Sequence, residues 1–426
     1  MTDGKNASPC RYVALDIHKH YSVIAAVNRD GQIVLDPVRI EHEDLEAQLR
    51  KKLLPSDQVV IESTTNAWHI YDLLEPLATK VLVANPIRVK QIACAKVKTD
   101  IRDTLILARL LAANLVPTVW VPPVEVRNLR YLLSQRRRLV GMHTQTVNRM
   151  GSVAHRHHLN HPKGKRFIEK NTEWQQDDEL SDSEKFQLEL DMATGEHLDG
   201  QAKKIAEKTA RMSQEEPWAA SMMYLMQLPG FGVITGMTVL SAIGDIARFE
   251  KPKNLSSYSG LTAGVEQSGT KNRGKGTLAP HASAGVTKEG RKELRWAMVE
   301  VAQRAVKSDP YWKSRFQALE RRMHRNQAIV AIAHQMLELV WHVLTHKQAY
   351  RHFSAERIAY KYLTWGWQLD EEARDGLTRQ QFARYYLMRL GIGHDLKRIA
   401  LNPKYPRKLA SEAEVLALRP ELNQDK

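Results

Sequence analysis

The sequence predicts a mixed α/β domain, then a long helical segment, then a mainly helical C-terminal region. Three observations predict this order. Over residues 11 to about 118, short apolar runs bounded by turn residues alternate with stretches of helical spacing. The proline-punctuated segment Pro117 to Pro123 (PTVWVPP) closes that alternation as a linker. Beyond it, apolar residues return at helical and heptad-like intervals, with no internal repeat of fixed period.

In the first part, Arg11 to Ile17 (RYVALDI) and Tyr21 to Asn28 (YSVIAAVN) read as strands. Asp30-Gly31 is a hairpin turn into a third strand, Gln32 to Ile40. Glu41 to Leu54 has helical spacing, with Leu45, Leu49 and Leu53 on one face. Gln58 to Ile61 is a buried-strand run ending at Glu62. Ala67 to Thr79 reads as helix and Val81 to Ala84 as a fifth strand. Asn85-Pro86 starts a further helix, since proline is tolerated in a first turn. The order βββαβαβα is that of the RNase H-like (RuvC-like) fold.

Composition narrows the function classes. A chain of 426 residues can hold two or three domains. Lysine and arginine number 63 against 48 acids, a formal charge of +15, which favours a polyanionic partner. Charge alone does not separate nucleic acid from an anionic membrane. No apolar run reads as long enough to span a bilayer, and Met1 to Cys10 lack a signal-peptide core. The two cysteines, Cys10 and Cys94, cannot build a disulfide framework, and no CxxC metal pair is present. A reducing cytoplasm is the expected setting, where a basic protein would meet nucleic acid.

After the linker, Val126, Leu129, Leu133, Val140, Val147 and Met150 fall on a heptad-like seam, interrupted by Arg136 and His143. Arg136, Arg137 and Arg138 on this helix are either a solvated face or phosphate contacts. Residues 158 to 190 are polar and read as a loop or insertion between two long helices. His155, His157, His158 and His161 are expected at the surface, because regular metal-ligand spacing is missing. Leu228 to Gly232 (LPGFG) resembles a helix-hairpin-helix turn that would offer N–H groups to phosphate, although an ordinary turn before a helix gives the same pattern. Residues 285 to 345 look helical, and a further basic helical stretch follows from about Ala349. The expected domains are therefore 1–118, 119–224, 225–348 and 349–426.

Two constellations carry chemistry. Asp16 interrupts the apolar first strand, and an acid buried there is costly unless something neutralises it. Glu62 ends the fourth strand, which neighbours the first in an RNase H-like sheet. Asp100 and Asp103, three residues apart, share one face of a helical turn. Asp100 would also serve as the cap of a helix from Ile101. Four converging carboxylates repel one another unless cations sit between them. Mg²⁺ suits such a set, being hard and preferring oxygen, and two ions could clamp the attacking and leaving oxygens of a phosphodiester. One of these acids alone is better read as a cap or surface charge; four in this order read as a metal site.

The second constellation is Ser268 in a basic glycine-rich stretch, Gly264 to Gly276, followed by Val286 to Arg291. A serine beside glycine is sterically open, and Lys271, Arg273, Lys275, Lys288 and Arg291 would bind phosphate. Serine needs activation to act as a nucleophile. Spacing alone favours a plain phosphate-binding loop in which Ser268 donates a hydrogen bond. No GxSxG elbow of a serine hydrolase is present.

Together these segments resemble the insertion-sequence transposases with an N-terminal DEDD RuvC-like domain and a C-terminal serine-bearing transposase domain, the bridge-RNA-guided recombinases. The motifs are ALDIHK, IESTTNAW, KTDIRD, LPGFG, GDIARFEKPKNLSSYSGLTAGVEQSG and VTKEGRKELR, spanning roughly residues 11 to 345. The resemblance implies that Asp16, Glu62, Asp100 and Asp103 bind Mg²⁺, and that Ser268 attacks DNA to form a phosphoserine link. It implies a dimer or dimer of dimers built through the helices of 124 to 225. It also implies a structured guide RNA that pairs with donor and target DNA, delegating sequence choice to base pairing. Three departures stand out: the polar segment 158–190, a long loop between Gly276 and Gly285 carrying a second serine, Ser283, and the basic extension after 349. In that extension Arg351, Arg357, Lys361, Arg384, Arg389, Lys397 and Arg398 suggest RNA binding or assembly. The alternatives are a water-using RuvC-like nuclease or Holliday-junction resolvase, a protein-guided invertase, and a catalytically silent nucleic-acid-binding protein.

Overall fold

The computed structural model describes residues 11–93, 99–160, 173–262, 286–352, 354–401 and 404–423. The chain divides into two compact units, one up to Pro122 and one from Pro123 onward.

The first unit is a five-stranded mixed sheet with helices on both faces. Its strands are β1 (Tyr12–Ile17), β2 (Tyr21–Val27), β3 (Ile33–Glu41), β4 (Gln58–Glu62) and β5 (Lys80–Ala84). Its helices are α1 (Leu45–Lys52), α2 (Ala67–Leu74), α3 (Pro86–Ile92) and α4 (Asp100–Ala112). The spatial order is β3-β2-β1-β4-β5, antiparallel on the β3 and β2 side of β1 and parallel from β1 through β5. The predicted strands match within a residue or two at each end. Two predicted helices are shorter: 3-10 turns at His42–Asp44 and Glu75–Leu77 replace their first and last turns. The proline-rich linker is partly structural, since the Val119 N–H donates to the Val83 carbonyl at 2.8 Å and extends the sheet beyond β5.

Alternation along the strands decides which face each residue serves. Val13, Leu15 and Ile17 of β1, with Val59 and Ile61 of β4, pack in one core with residues of α1 and α2. Ala14 and Val60 pack on the other face with Val89 of α3 and Leu107, Ala108 and Leu111 of α4. Each fully buried leucine there contributes about 1.5–3 kcal/mol. Period two carries Asp16 to the α4 face with Ala14, and Glu62 to the same face with Val60. The start of β1 is fixed by Arg11, whose Nε and Nη2 donate to the fully buried Asp57 carboxylate at 3.0 and 2.6 Å.

The second unit opens with α5 (Val124–Arg156) and α6 (Asp182–Met212), which pack antiparallel: Met150, Val153 and Ala154 meet Leu188 and Met192. The heptad seam is buried at its ends, at Val126, Leu129 and Met150, and exposed at Val140. The helix α6 begins well inside the segment expected to be loop. Ser181 and Glu184 form a capping box there, so these polar residues start the helix instead of interrupting it. Next come α7 (Ala219–Met226), α8 (Val233–Ile243), α9 (Pro252–Ser259), α10 (Lys292–Ser308), α11 (Pro310–Glu320) and α12 (Arg325–His346). All of α8 except Ile234 is buried. By length and composition α12 is apolar enough to cross a membrane, contrary to expectation, but half of the apolar window is buried inside the protein against its neighbours.

The last elements are α13 (Ala355–Gly366), α14 (Arg379–Arg389), the short strands β6 (Arg398–Ile399) and β7 (Arg407–Lys408), and α15 (Glu412–Leu416). They are integral to the second unit. Trp365 and Tyr362 are fully buried; the Trp365 indole donates to Ser213 Oγ at 2.9 Å and the Tyr362 hydroxyl to the Met223 carbonyl at 2.9 Å.

Candidate functional site

In the first unit, acids gather where β1 meets the start of α4. Thr99 caps α4 by accepting from the Arg102 N–H, so Asp100 is its first helical residue and not the expected cap. Thr104, Leu107, Ala108 and Leu111 form the buried stripe of α4. Stepping back by four residues from Thr104 and Leu107 gives Asp100 and Asp103, which continue that face of the helix; Asp100 is half-buried and meets β1, whereas Asp103 is exposed. Leu15 pairs with Ile61, so Glu62 lies level with Asp16 on the neighbouring strand.

Asp16 and Asp100 meet through His18. Its Nε2 lies 3.2 Å from Asp16 Oδ2 and 3.4 Å from Asp100 Oδ2. One ligand atom from each of the three residues falls within 4.8 Å of the others. The Tyr21 hydroxyl donates to Asp100 Oδ2 at 2.9 Å, and its ring stacks on His18 at 4.6 Å between centroids. Arg39 caps the other face of Tyr21, 3.7 Å from the ring centroid. Burial, with the like charges of Asp100 and Asp103, raises the Asp16 carboxyl above its ordinary value, while His18 opposes that rise. A half-buried set of carboxylates whose charges oppose one another, with an imidazole between two of them, has the chemistry of a site for a divalent cation. His18 and Tyr21 had no predicted role. Their signal was His18 two residues beyond Asp16 in the ALDIHK run, on the same side of the chain.

In the second unit, Ser268, Lys271, Arg273, Lys275 and Ser283 lie outside the described residues. The two stems that flank them are described, and they are joined. The N–H groups of Thr287, Lys288 and Arg291 donate to the carbonyls of Thr262, Gly260 and Tyr258 at 3.0, 3.3 and 2.8 Å. Two glycines allow this neck. A Cβ on Gly260 (φ +69°) would sit 2.3 Å from the Glu289 carbonyl oxygen, and one on Gly290 (φ +111°) 2.3 Å from that of Tyr258. Arg295 ties both stems, donating from Nη1 to the carbonyls of Ser259 and Lys288 at 2.9 and 3.1 Å. Lys288 itself is exposed and left-handed, with φ 55°.

Arginines gather around this neck. Arg130 of α5 and Arg248 both donate to the Ala242 carbonyl at the C-terminal end of α8, at 3.1 and 3.3 Å, where cations offset the helix dipole. Arg248 lies over Tyr258, 4.4 Å from its ring centroid. Arg291 Nε contacts Glu293 at 3.1 Å; Arg137 Nη1 reaches the same carboxylate at 3.6 Å and lies 5.9 Å from the Trp296 ring centroid. Burial, then the like charge of Arg291, pushes Arg130 down to about 10. The predicted triplet splits: Arg137 joins this patch, Arg138 is exposed, and Arg136 is half-buried toward Asp199, which offsets part of its burial cost.

Other expected contacts prove structural. His157 lies 2.9 Å from Glu184 and helps hold it down at about 2. The LPGFG turn faces inward: a Cβ on Gly230 would lie 2.2 Å from the Val301 carbonyl oxygen, and the Leu228 carbonyl accepts from Lys361. Its glycine serves close packing on α10, which accounts for the turn without phosphate. Arg384 donates to the carbonyls of Ala410, Gly393 and Leu396, and Arg357 to that of Ser308 at 2.6 Å, so these cations are spent inside the fold.

Residues 13–158 match the model of a DEDD transposase domain of the IS110 type, and residues 222–317 match that of the transposase IS116/IS110/IS902 family. A putative transposase, y4qE, of Sinorhizobium fredii is 24% identical over 83% of this chain and 85% of its own. The transposase for insertion sequence element IS1111A of Coxiella burnetii is 25% identical, covering 69% of this chain and 79% of its own. An uncharacterized 43.6 kDa protein of insertion element IS110 from Streptomyces coelicolor is 29% identical over 28% of each. The class is thereby defined: a DNA transposase, an enzyme that cleaves and exchanges DNA strands. The chain carries both domains of the IS110 family of transposases, with the acidic cluster in the first and the arginine-flanked neck in the second.

Proposed function

We propose that this transposase is an RNA-guided recombinase that cuts and rejoins donor and target DNA through a phosphoserine intermediate at Ser268. The observation that carries the reading is the gathering of Asp16, His18 and Asp100 at the α4 face of the sheet, level with Glu62 and one helical turn from Asp103. The strand order 3-2-1-4-5 supports an RNase H-like domain, whose acids lie at this edge. Asp16, Glu62, Asp100 and Asp103 would hold Mg²⁺, an ion suited to hard oxygen donors. When bound it supplies charge to offset the developing oxyanion.

Ser268 Oγ attacks phosphorus, its proton leaves, and the P–O bond to the departing deoxyribose oxygen breaks; that oxygen takes up a proton. A DNA hydroxyl then attacks the phosphoserine, which releases the serine hydroxyl and restores the diester. The Lys271, Arg273, Lys275, Lys288 and Arg291 cations would neutralise the phosphate. Guide-RNA pairing would choose the sites, and a dimer of dimers would bring two DNA ends together.

The test is to incubate full-length protein, copurified RNA and Mg²⁺ with labelled element-end DNA and to run a denaturing gel. A labelled protein band, lost in Ser268→Ala and in Asp16→Ala, is expected. Normal cutting by Ser268→Ala with no adduct would replace this reading with a water-using nuclease or resolvase. A full reaction by protein stripped of RNA would replace guidance with protein-read sites.

A further inference from the structure

We propose that the neck of the second unit is a docking site for an unpaired DNA strand: Arg291 and Arg137 take a phosphate, and Trp296 stacks a base. The assignment to DNA rests on the recombinase reading above, because the neck bounds the segment that carries Ser268.

Three observations support it. First, three half-buried arginines from three separate elements meet around Tyr258: Arg130 and Arg248 are held by the Ser241, Ala242 and Ile243 carbonyls and buttress the site, while Arg291, with Arg137 beside it on Glu293, faces the ligand. Among the described residues the acids beside them are Asp245, near Arg248, Glu289 in the stem itself, and Glu293, which Arg291 shares with Arg137. Cations therefore outnumber acids at the neck, and an anion would relieve the repulsion between them. The oxygens of a phosphodiester match the planar fork of a guanidinium.

Second, Trp296 is 37% exposed on the first turns of α10, and Arg137 lies at its ring. A large indole left open beside a guanidinium is the pairing that stacks a base, because every base offers a π face and a cation adds to the attraction. Third, the neck is held rigidly by two glycine-dependent approaches and the Arg295 bridge. The site is thus preorganised and loses little freedom on binding. A duplex hides its base faces, so Trp296 selects the strand opened during exchange.

The experiment uses the full-length protein and three probes of one mixed sequence: a single-stranded DNA 20-mer carrying 2-aminopurine, its duplex, and the RNA equivalent. Trp296→Ala is expected to weaken single-strand binding about tenfold or more and to abolish the 2-aminopurine quench, with less than about threefold change on duplex. Trp296→Phe should restore most of both. Arg291→Gln should weaken single-strand binding and reduce its salt dependence by about one phosphate. Unchanged or equal losses on single strand and duplex would overturn the proposal. So would tighter binding of the RNA probe through the same residues. Ser268→Ala should bind the single strand normally. If it still forms the adduct while the Trp296 effects hold, only the serine reading falls; if the adduct behaves as expected and Trp296→Ala binds normally, only this proposal falls.

Discussion

The acidic cluster and the basic neck are built from opposite charges by the same rule. In the first unit, Asp16, Asp100 and Asp103 are drawn together by strand register and helix face, and burial, helped by their mutual repulsion, raises the Asp16 carboxyl. In the second, Arg130, Arg248 and Arg291 are drawn together by helix-end carbonyls and a tyrosine ring, and burial, then the charge of Arg291, lowers Arg130. Each, on the readings proposed above, would take a ligand of the opposite sign. The difference lies in support. The acids stand on a sheet whose central strands carry fully buried apolar side chains on both faces. The arginines surround a neck that only glycine can close.

The sharpest break in this comparison is Asp16→Asn. Strand cleavage should fall on the order of 10³-fold or more, measured on element-end DNA. In metal-free buffer its Tm should equal or exceed the parent's, since a repelling charge has gone. Saturating Mg²⁺, at roughly a hundred times Kd, should raise the parent by about 2.7 kcal/mol and the variant by much less. A variant that melts lower without metal would show Asp16 to be a structural acid.

Gly260→Ala tests the neck. A Cβ there meets the Glu289 carbonyl at 2.3 Å from a left-handed residue, so a cost of about 2 kcal/mol is expected in urea unfolding of the second unit. Adduct formation should drop with it while metal-dependent stabilisation remains. Equal loss of both would mean that the two sites do not stand on separate supports.

The smallest effect is one of pH. Burial pushes the Lys361 amine from the usual 10.5 down to about 7. Between those values the unfolded chain binds more protons than the folded one, so stability rises with pH from about 7 to 10.5 and levels above. Lys361→Met should flatten that rise in Tm. An unchanged slope would place the amine in contact with water, in keeping with its partly exposed side chain, and outside the core.

Much of the fold was legible in the sequence, because runs such as VALDI and QVVI have no stable place outside a buried strand. Asp16 was legible for the same reason: a charge amid such a run demands an explanation. What was not legible was the destination of hydrogen bonds. His18, Tyr21 and Arg39 organise Asp100 across gaps of 61 to 82 residues that no spacing rule reports. Arg357 and Arg384 suggested RNA binding or assembly because a charge count does not show which carbonyls await it. The LPGFG glycine was read as an opening to phosphate when its opening is to Val301. The polar start of α6 was read as loop, although Ser181 and Glu184 spell a cap.

The bond from the Thr287 N–H to the Thr262 carbonyl fastens the two stems of the neck to each other. Once the ends of a segment are held together, doubling its length costs the fold only about 0.6 kcal/mol. The cost of closing the neck is therefore carried by its two stems and hardly at all by the length of chain between them.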